Sequence, residues 1–183
     1  MVRLTDQYPL SKADISLIST ASALHDIGKI SISDAILNKP GRLTADEFEV
    51  MKTHSVIGAD MLSDLPIEQK EVPLVKVASE ICRWHHERYD GSGYPDGLKG
   101  EQIPIAAQVV ALADVYDALI SERCYKKAYS HDDALKMILE GQCGAFNPTL
   151  LSCLQEIADT LEGELMDTPH EQEIKNNQYI RIK

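Results

Sequence analysis

The chain has 183 residues, enough for one domain that buries a real hydrophobic core. Its formal net charge of −11 excludes a general nucleic-acid-binding surface, which needs excess Lys and Arg, but leaves room for a small anionic ligand where bound cations reverse the local field. No signal-peptide or membrane-spanning pattern is present. The apolar stretch from Ile103 to Ile120 is broken by Gln108, Asp114 and Asp117 and reads as a buried helix.

In chain order, the pattern is a succession of amphipathic helices, which predicts an all-α bundle. Ser11 and Asp14 form a capping-box pattern ahead of a stripe of Ile15, Ile18, Ala21 and Leu24. That helix closes on His25-Asp26. Thr44 and Glu47 repeat the pattern before Phe48, Met51, Ser55, Gly58, Met61, Leu62 and Leu65, and His54 lies on the core side of that helix. A third helix follows Pro73 with Leu74, Val77, Ala78 and Ile81, and ends at His85-His86. Pro104 suits the first turn of a fourth, carrying Val109, Leu112, Ala113, Tyr116 and Leu119. Ser130 with Asp133 opens a fifth, and Asn147-Pro148 a sixth with Leu150, Leu151, Leu154, Ile157 and Leu161. The domain is expected over residues 1–164, with 165–183 an acidic, amide-rich extension. Cys82, Cys124, Cys143 and Cys153 lack zinc-site or disulfide-framework spacing, which predicts free thiols in a reducing cytoplasm.

The run from His85 to Gly97 carries the most chemistry: adjacent imidazoles followed by a glycine-rich loop. A lone His54 would ordinarily be a core histidine satisfied by a hydrogen bond. With His25, Asp26, His85, His86 and Asp114 in the same chain, a metal site explains the set better. His85 and His86 point about 100° apart on a helix, so they grip a site from two directions. The donors are oxygen and imidazole without thiolate, which suits iron, manganese or a similar divalent ion. Lys29 sits one short turn after Asp26, within reach of a metal-bound phosphate. Asp117 shares a helix face with Asp114, as a group that orients water or protonates a leaving oxygen, or as a hydrogen-bond partner that fixes a histidine. Arg123 and Lys126 pair a bidentate phosphate or base donor with a point charge.

These motifs, His25-Asp26-Ile27-Gly28-Lys29, Leu37 to Thr44, His54, His85 to Pro95, Asp114 to Leu119, Arg123 to Lys126 and Phe146-Asn147-Pro148, stand in an order and spacing that resemble the HD-GYP family. That family is a branch of the HD metal-dependent phosphohydrolases. The resemblance implies a helical HD-domain bundle that hydrolyses cyclic di-GMP to pGpG or GMP with metal-activated water. It implies a binuclear centre, Asp26, His54, His85 and His86 on one ion and His25, Asp26 and Asp114 on the other. Lys29, Arg123 and Lys126 would contact substrate, and Gly93, Tyr94 and Pro95 would shape its pocket. Partner modules such as a diguanylate cyclase (GGDEF) domain would dock near that loop, and a sensory or receiver domain would lie upstream in the full-length protein.

Departures from the family pattern are visible as well. There is no His before His25 and no Glu before Glu47, where the family has a further ligand on an upstream helix; that helix is expected to lie outside this sequence, with the second ion weakly held. Gln108, Cys124 and Asn147 replace the family's usual Arg, Pro and Asp. The competing expectation is a catalytically silent signalling module that keeps the fold.

Overall fold

A computed structural model describes residues 7–122 and 127–166. The helices are α1 (Lys12–Ser22), α2 (Asp34–Leu37), α3 (Ala45–Ser63), α4 (Ile67–Lys70), α5 (Pro73–Trp84), α6 (Ile105–Ile120), α7 (His131–Leu139) and α8 (Pro148–Met166). Short 3-10 turns cover Ile27–Ser31 and Gly100–Gln102. The fold is all-α, with no β-sheet among the described residues. No helix among them is long and apolar enough to cross a membrane.

Helix starts follow the local chemistry. Ser11 accepts from the Asp14 amide at 3.1 Å while the Asp14 carboxylate takes the Ser11 amide at 2.8 Å, which satisfies two orphan donors at the head of α1. Thr44 and Glu47 do the same for α3, and Ser130 caps α7 through the Asp133 amide. Pro73 stands in the first turn of α5, where its missing N–H costs nothing, and Pro104 is the N-cap of α6.

Packing divides the bundle into two cores. Ile18 and Ala21 of α1, Ala59 and Leu62 of α3, and Ala78, Ile81 and Cys82 of α5 form the first. Ala111, Leu112, Tyr116 and Leu119 of α6 meet Ala134 and Ile138 of α7 and Leu150 and Leu154 of α8 in the second. Helix α6 also lends Ala106 and Val110 to the first core, so it joins the two halves. Met61, expected on the buried stripe of α3, is largely exposed, and so is Phe48.

Two glycines set close approaches that position the site. A Cβ on Gly28 would lie 2.0 Å from the His54 carbonyl oxygen and 2.6 Å from the Gly58 nitrogen. Only glycine lets the turn after Asp26 lie flat on α3. A Cβ on Gly93 would meet the backbone of Glu87 and Arg88 at 2.4 Å, so the loop doubles back onto the segment that carries His85 and His86.

Polar residues between the halves are paired. Asn147 donates to Gln108 at 2.8 Å and to the Tyr8 hydroxyl at 2.6 Å, and Tyr8 donates to Glu101 at 2.6 Å. Gln108 also donates to the Ile103 carbonyl at 2.8 Å. Two of the three positions that depart from the HD-GYP pattern therefore meet as a hydrogen-bonded pair of neutral amides, which leaves neither side chain unsatisfied. His131, without an assigned role in the sequence, hydrogen-bonds Tyr116 at 2.6 Å and ties α7 to α6.

Candidate metal centre

Three elements bring the ligand atoms together. The turn that follows α1 supplies His25 and Asp26, α3 supplies His54, and the C-terminal end of α5 supplies His85 and His86. One donor atom from each of Asp26, His54, His85 and His86 lies within 4.8 Å of all the others.

The histidine tautomers follow from the backbone. Nδ1 of His25 lies 2.8 Å from the Ser22 carbonyl, that of His54 lies 2.7 Å from the Met51 carbonyl, and that of His85 lies 2.9 Å from the Ile81 carbonyl. A carbonyl only accepts, so each Nδ1 carries a proton, and in the neutral ring Nε2 keeps a lone pair. Those Nε2 atoms converge on one carboxylate: His54 stands 3.3 Å and His85 3.8 Å from Asp26 Oδ1, and His25 stands 3.2 Å from Asp26 Oδ2. His86 Nε2 is 3.2 Å from His54 Nε2.

Lone pairs and a carboxylate aimed into one small volume repel unless a cation lies between them. Asp26 Oδ1 and His85 Nε2 are moreover buried without any hydrogen-bond partner, a cost that native structures rarely leave standing. The residues fit a divalent ion on geometry and donor chemistry together.

Electrostatics agree. Burial, then the neighbouring His25, pushes His85 down to about 4, and burial with His85 beside it pushes His86 down to about 2. Both rings are thus neutral ligands at ordinary pH. Burial raises the Asp26 carboxyl, but the close approach of His25, His54 and the Lys29 ammonium outweighs it and holds the group far below the usual carboxylate range. The Asp26 carboxylate beside it favours a protonated His25 and raises its pKa.

The flanking residues fall in distinct places. Lys29 donates to Asp26 Oδ2, on the side of the carboxylate that faces His25. Asp114 Oδ1 is 3.8 Å from His25 Nε2. Asp117, one turn further along α6, is exposed and accepts from Ser121 at 3.4 Å. With Ser22, His25 and Asp114 it lines a cleft of about 520 Å³ between α1 and α6, a size that suits a nucleotide. Arg123 and Lys126 lie outside the described residues.

Gly93, Tyr94 and Pro95 belong to the loop over the centre, and the Tyr94 ring stacks on His86 with centroids 4.7 Å apart and planes 31° apart. Two acidic residues hold that loop, and sequence reasoning missed both. Asp96 accepts from Arg83 Nε at 2.7 Å, Arg83 Nη2 at 3.0 Å and Trp84 Nε1 at 2.8 Å. Glu87, only 2% exposed, accepts from the Asp96 amide at 2.8 Å. Their one sequence signal is a pair of carboxylates flanking a glycine-rich run, which a solvated turn would show equally. Cys82 is no ligand: it is fully buried, its Sγ–H meets the Leu24 carbonyl at 3.0 Å, and burial pushes its thiol up to about 12. Cys82, Cys143 and Cys153 are free thiols.

The HD-domain family profile matches residues 3–150. The chain belongs to the HD-domain family. It is 47% identical over 155 residues to a probable cyclic di-GMP phosphodiesterase of Vibrio cholerae, covering 80% of this chain and 34% of that protein. It is 46% identical to the cyclic di-GMP phosphodiesterase response regulator RpfG of Xanthomonas campestris pv. campestris, covering 82% of this chain and 39% of that protein. A 3′3′-cGAMP-specific phosphodiesterase 2 of Vibrio cholerae is 39% identical, over 84% of this chain and 28% of its own length. The chain thus spans roughly a third of these relatives and corresponds to an HD-domain unit within them.

Proposed function

We propose that this HD domain is a cyclic di-GMP phosphodiesterase that opens a 3′–5′ phosphodiester to linear pGpG. The observation that carries the reading is the convergence of three imidazole nitrogens on the partly orphaned carboxylate of Asp26, in a chain whose relatives are named for cleaving cyclic dinucleotides. Asp26, His54, His85 and His86 would hold a divalent ion, iron or manganese by donor chemistry, and His25 with Asp114 a second, more weakly bound one. Ions bound there supply Lewis-acid polarisation of a phosphoryl oxygen and a lowered pKa for water.

The remaining steps fall to the chain's own residues. Lys29 shares its ammonium between Asp26 and a substrate phosphate oxygen. Asp117, in the wall of the cleft, orients water or passes a proton to the leaving ribose oxygen. Arg123 and Lys126 hold the second phosphate or a base edge. Tyr94, fixed on His86 by the Gly93 and Pro95 loop, closes one side of the pocket and excludes water.

Incubation of the manganese- or iron-loaded protein with cyclic di-GMP, followed by chromatography for pGpG and GMP, tests the reading. Undiminished cyclic di-GMP in the presence of stoichiometric bound metal overturns it. Faster loss of 3′3′-cGAMP in the same assay moves the substrate and keeps the chemistry.

A further inference from the structure

Beside the metal centre, α3 presents two side chains that the proposed chemistry leaves unused. Phe48 and Lys52 stand one turn apart on the same helix face. Phe48 is 46% exposed although it lies on the apolar stripe of its helix. Its edge-on neighbour is Tyr94, with centroids 6.2 Å apart and planes at 84°. The Lys52 ammonium lies 5.6 Å from the Phe48 centroid and 5.7 Å from that of Tyr94. Tyr94 in turn stacks on His86, whose Nε2 belongs to the ligand cluster. An unbroken series of rings therefore runs from the candidate ligands to a solvent-facing aromatic with a cation over its ring.

The charged partner of Lys52 is Glu49, 2.7 Å away and 68% exposed. The Lys52 side chain is itself half-buried, but a pair whose carboxylate is solvated holds an ammonium weakly, so Lys52 can turn to a ligand. A flat apolar face beside a single donor suits a planar heteroaromatic better than a phosphate, which calls for several donors at once. Nucleobases stack on such rings, and lysine donates to the O6 and N7 acceptors of guanine.

We propose that Phe48 and Lys52 form a purine-base subsite, in which a guanine of the dinucleotide stacks on Phe48 and presents O6 and N7 to Lys52. The proposal rests on the phosphodiesterase reading above and adds the residues that recognise the base.

The test uses manganese-loaded protein and three probes. GMP carries base and phosphate, inorganic phosphate carries no base, and bis(p-nitrophenyl) phosphate is a phosphodiester without a purine. Phe48→Leu keeps bulk and removes the aromatic face; Lys52→Met keeps the stem and removes the donor. Each should weaken GMP relative to inorganic phosphate by about tenfold in calorimetric titration, the loss of one base contact. Each should also lower the ratio of kcat/KM for cyclic di-GMP to that for bis(p-nitrophenyl) phosphate by a similar factor, mainly through KM. An unchanged GMP-to-phosphate ratio in both variants overturns the subsite and leaves the pair as packing for Tyr94. Hydrolysis of bis(p-nitrophenyl) phosphate by a parent protein that binds GMP no better than phosphate also overturns it, while the phosphodiesterase chemistry stands. Selective GMP binding without turnover of any diester supports the subsite and sinks the phosphodiesterase reading instead.

Discussion

The α3–α5 side of the centre and the α6 side differ in how their ligands are held. On the first, His54 and His85 are buried, each Nδ1 is locked by a carbonyl of its own helix, and Gly28 presses the Asp26 turn against α3. On the second, Asp114 and Asp117 look into an open cleft, and the nearest imidazole to Asp114 is 3.8 Å away. Lys29 further neutralises the Asp26 oxygen that both sides share with His25. Rigid, desolvated donors bind an ion with little reorganisation, whereas carboxylates in the wall of an open cleft must be stripped of water first. On the proposed reading, the comparison would separate a tight ion position from a labile one that faces the substrate.

Removing a ligand from the rigid side should have the largest effect. His54→Ala, His85→Ala or His86→Ala each takes one donor from a four-donor cluster and is expected to strip the tightly held ion, read as metal per chain after dialysis. His25→Ala should leave that ion in place. Equal metal loss in all four variants would erase the distinction between the two sides.

Next in size is Gly28→Ala. Its Cβ would sit 2.0 Å from the His54 carbonyl, backbone that cannot swing aside, so the turn must lift and draw Asp26 from His54 and His85. Overpacking of this kind costs about 1–3 kcal/mol, which should appear in thermal unfolding together with weaker metal binding. A Gly28→Ala protein with parental melting temperature and metal content would show that the close approach is dispensable.

A smaller effect concerns pH in the metal-free protein. His85 and His86 titrate near 4 and 2 when folded, against an ordinary 6.5 when unfolded. Below pH 6.5 the unfolded chain binds protons that the folded one refuses, so stability falls as pH drops from 7.5 towards 5. His25, raised by Asp26, acts in the opposite sense: its contribution is complete below 6.5 and fades as pH rises through its folded value. Two lowered histidines against one raised one leave a net loss on acidification. Chelated protein whose melting temperature rises between pH 7.5 and 5.5 would reverse that balance.

What the sequence revealed of this contrast depends on how local the cause was. The capping pairs Ser11–Asp14, Thr44–Glu47 and Ser130–Asp133 act over three residues, and the helices they open begin where expected. The 3-10 turn Ile27–Ser31 and the four-residue α2 and α4 are too short for periodicity to register. Periodicity also placed Phe48 and Met61 on a buried stripe, because it records that a face is apolar and not how far the neighbouring helices reach along it. At the site, donor types and helix-end positions marked the histidines and Asp26. The loop anchors Glu87 and Asp96 were hidden, since a carboxylate among glycines looks the same whether it faces water or folds back onto amides. Gln108 and Asn147 read as two separate losses of charge, and only their 2.8 Å contact shows one compensated exchange.

Asp114→Asn gives the smallest change in metal content and the sharpest view of the open side. Asn keeps the size and one acceptor oxygen of Asp but removes a negative charge, and the residue lies outside the cluster formed by Asp26, His54, His85 and His86. The tight ion should therefore remain at about one per chain, the occupancy of a single four-donor cluster, in parent and variant alike. The proposed second position would depend on that charge, because its other protein donors would be His25 and a carboxylate already paired with Lys29. Manganese titration followed by electron paramagnetic resonance should show the weaker binding phase of the parent shifted to higher concentration in Asp114→Asn, with the strong phase unmoved. Turnover of cyclic di-GMP should fall along with the weak phase, since that position faces the cleft where substrate enters. Loss of the strong phase in this variant would mean that Asp114 and the buried histidines act as one unit, and that the two sides of the centre do not fill independently.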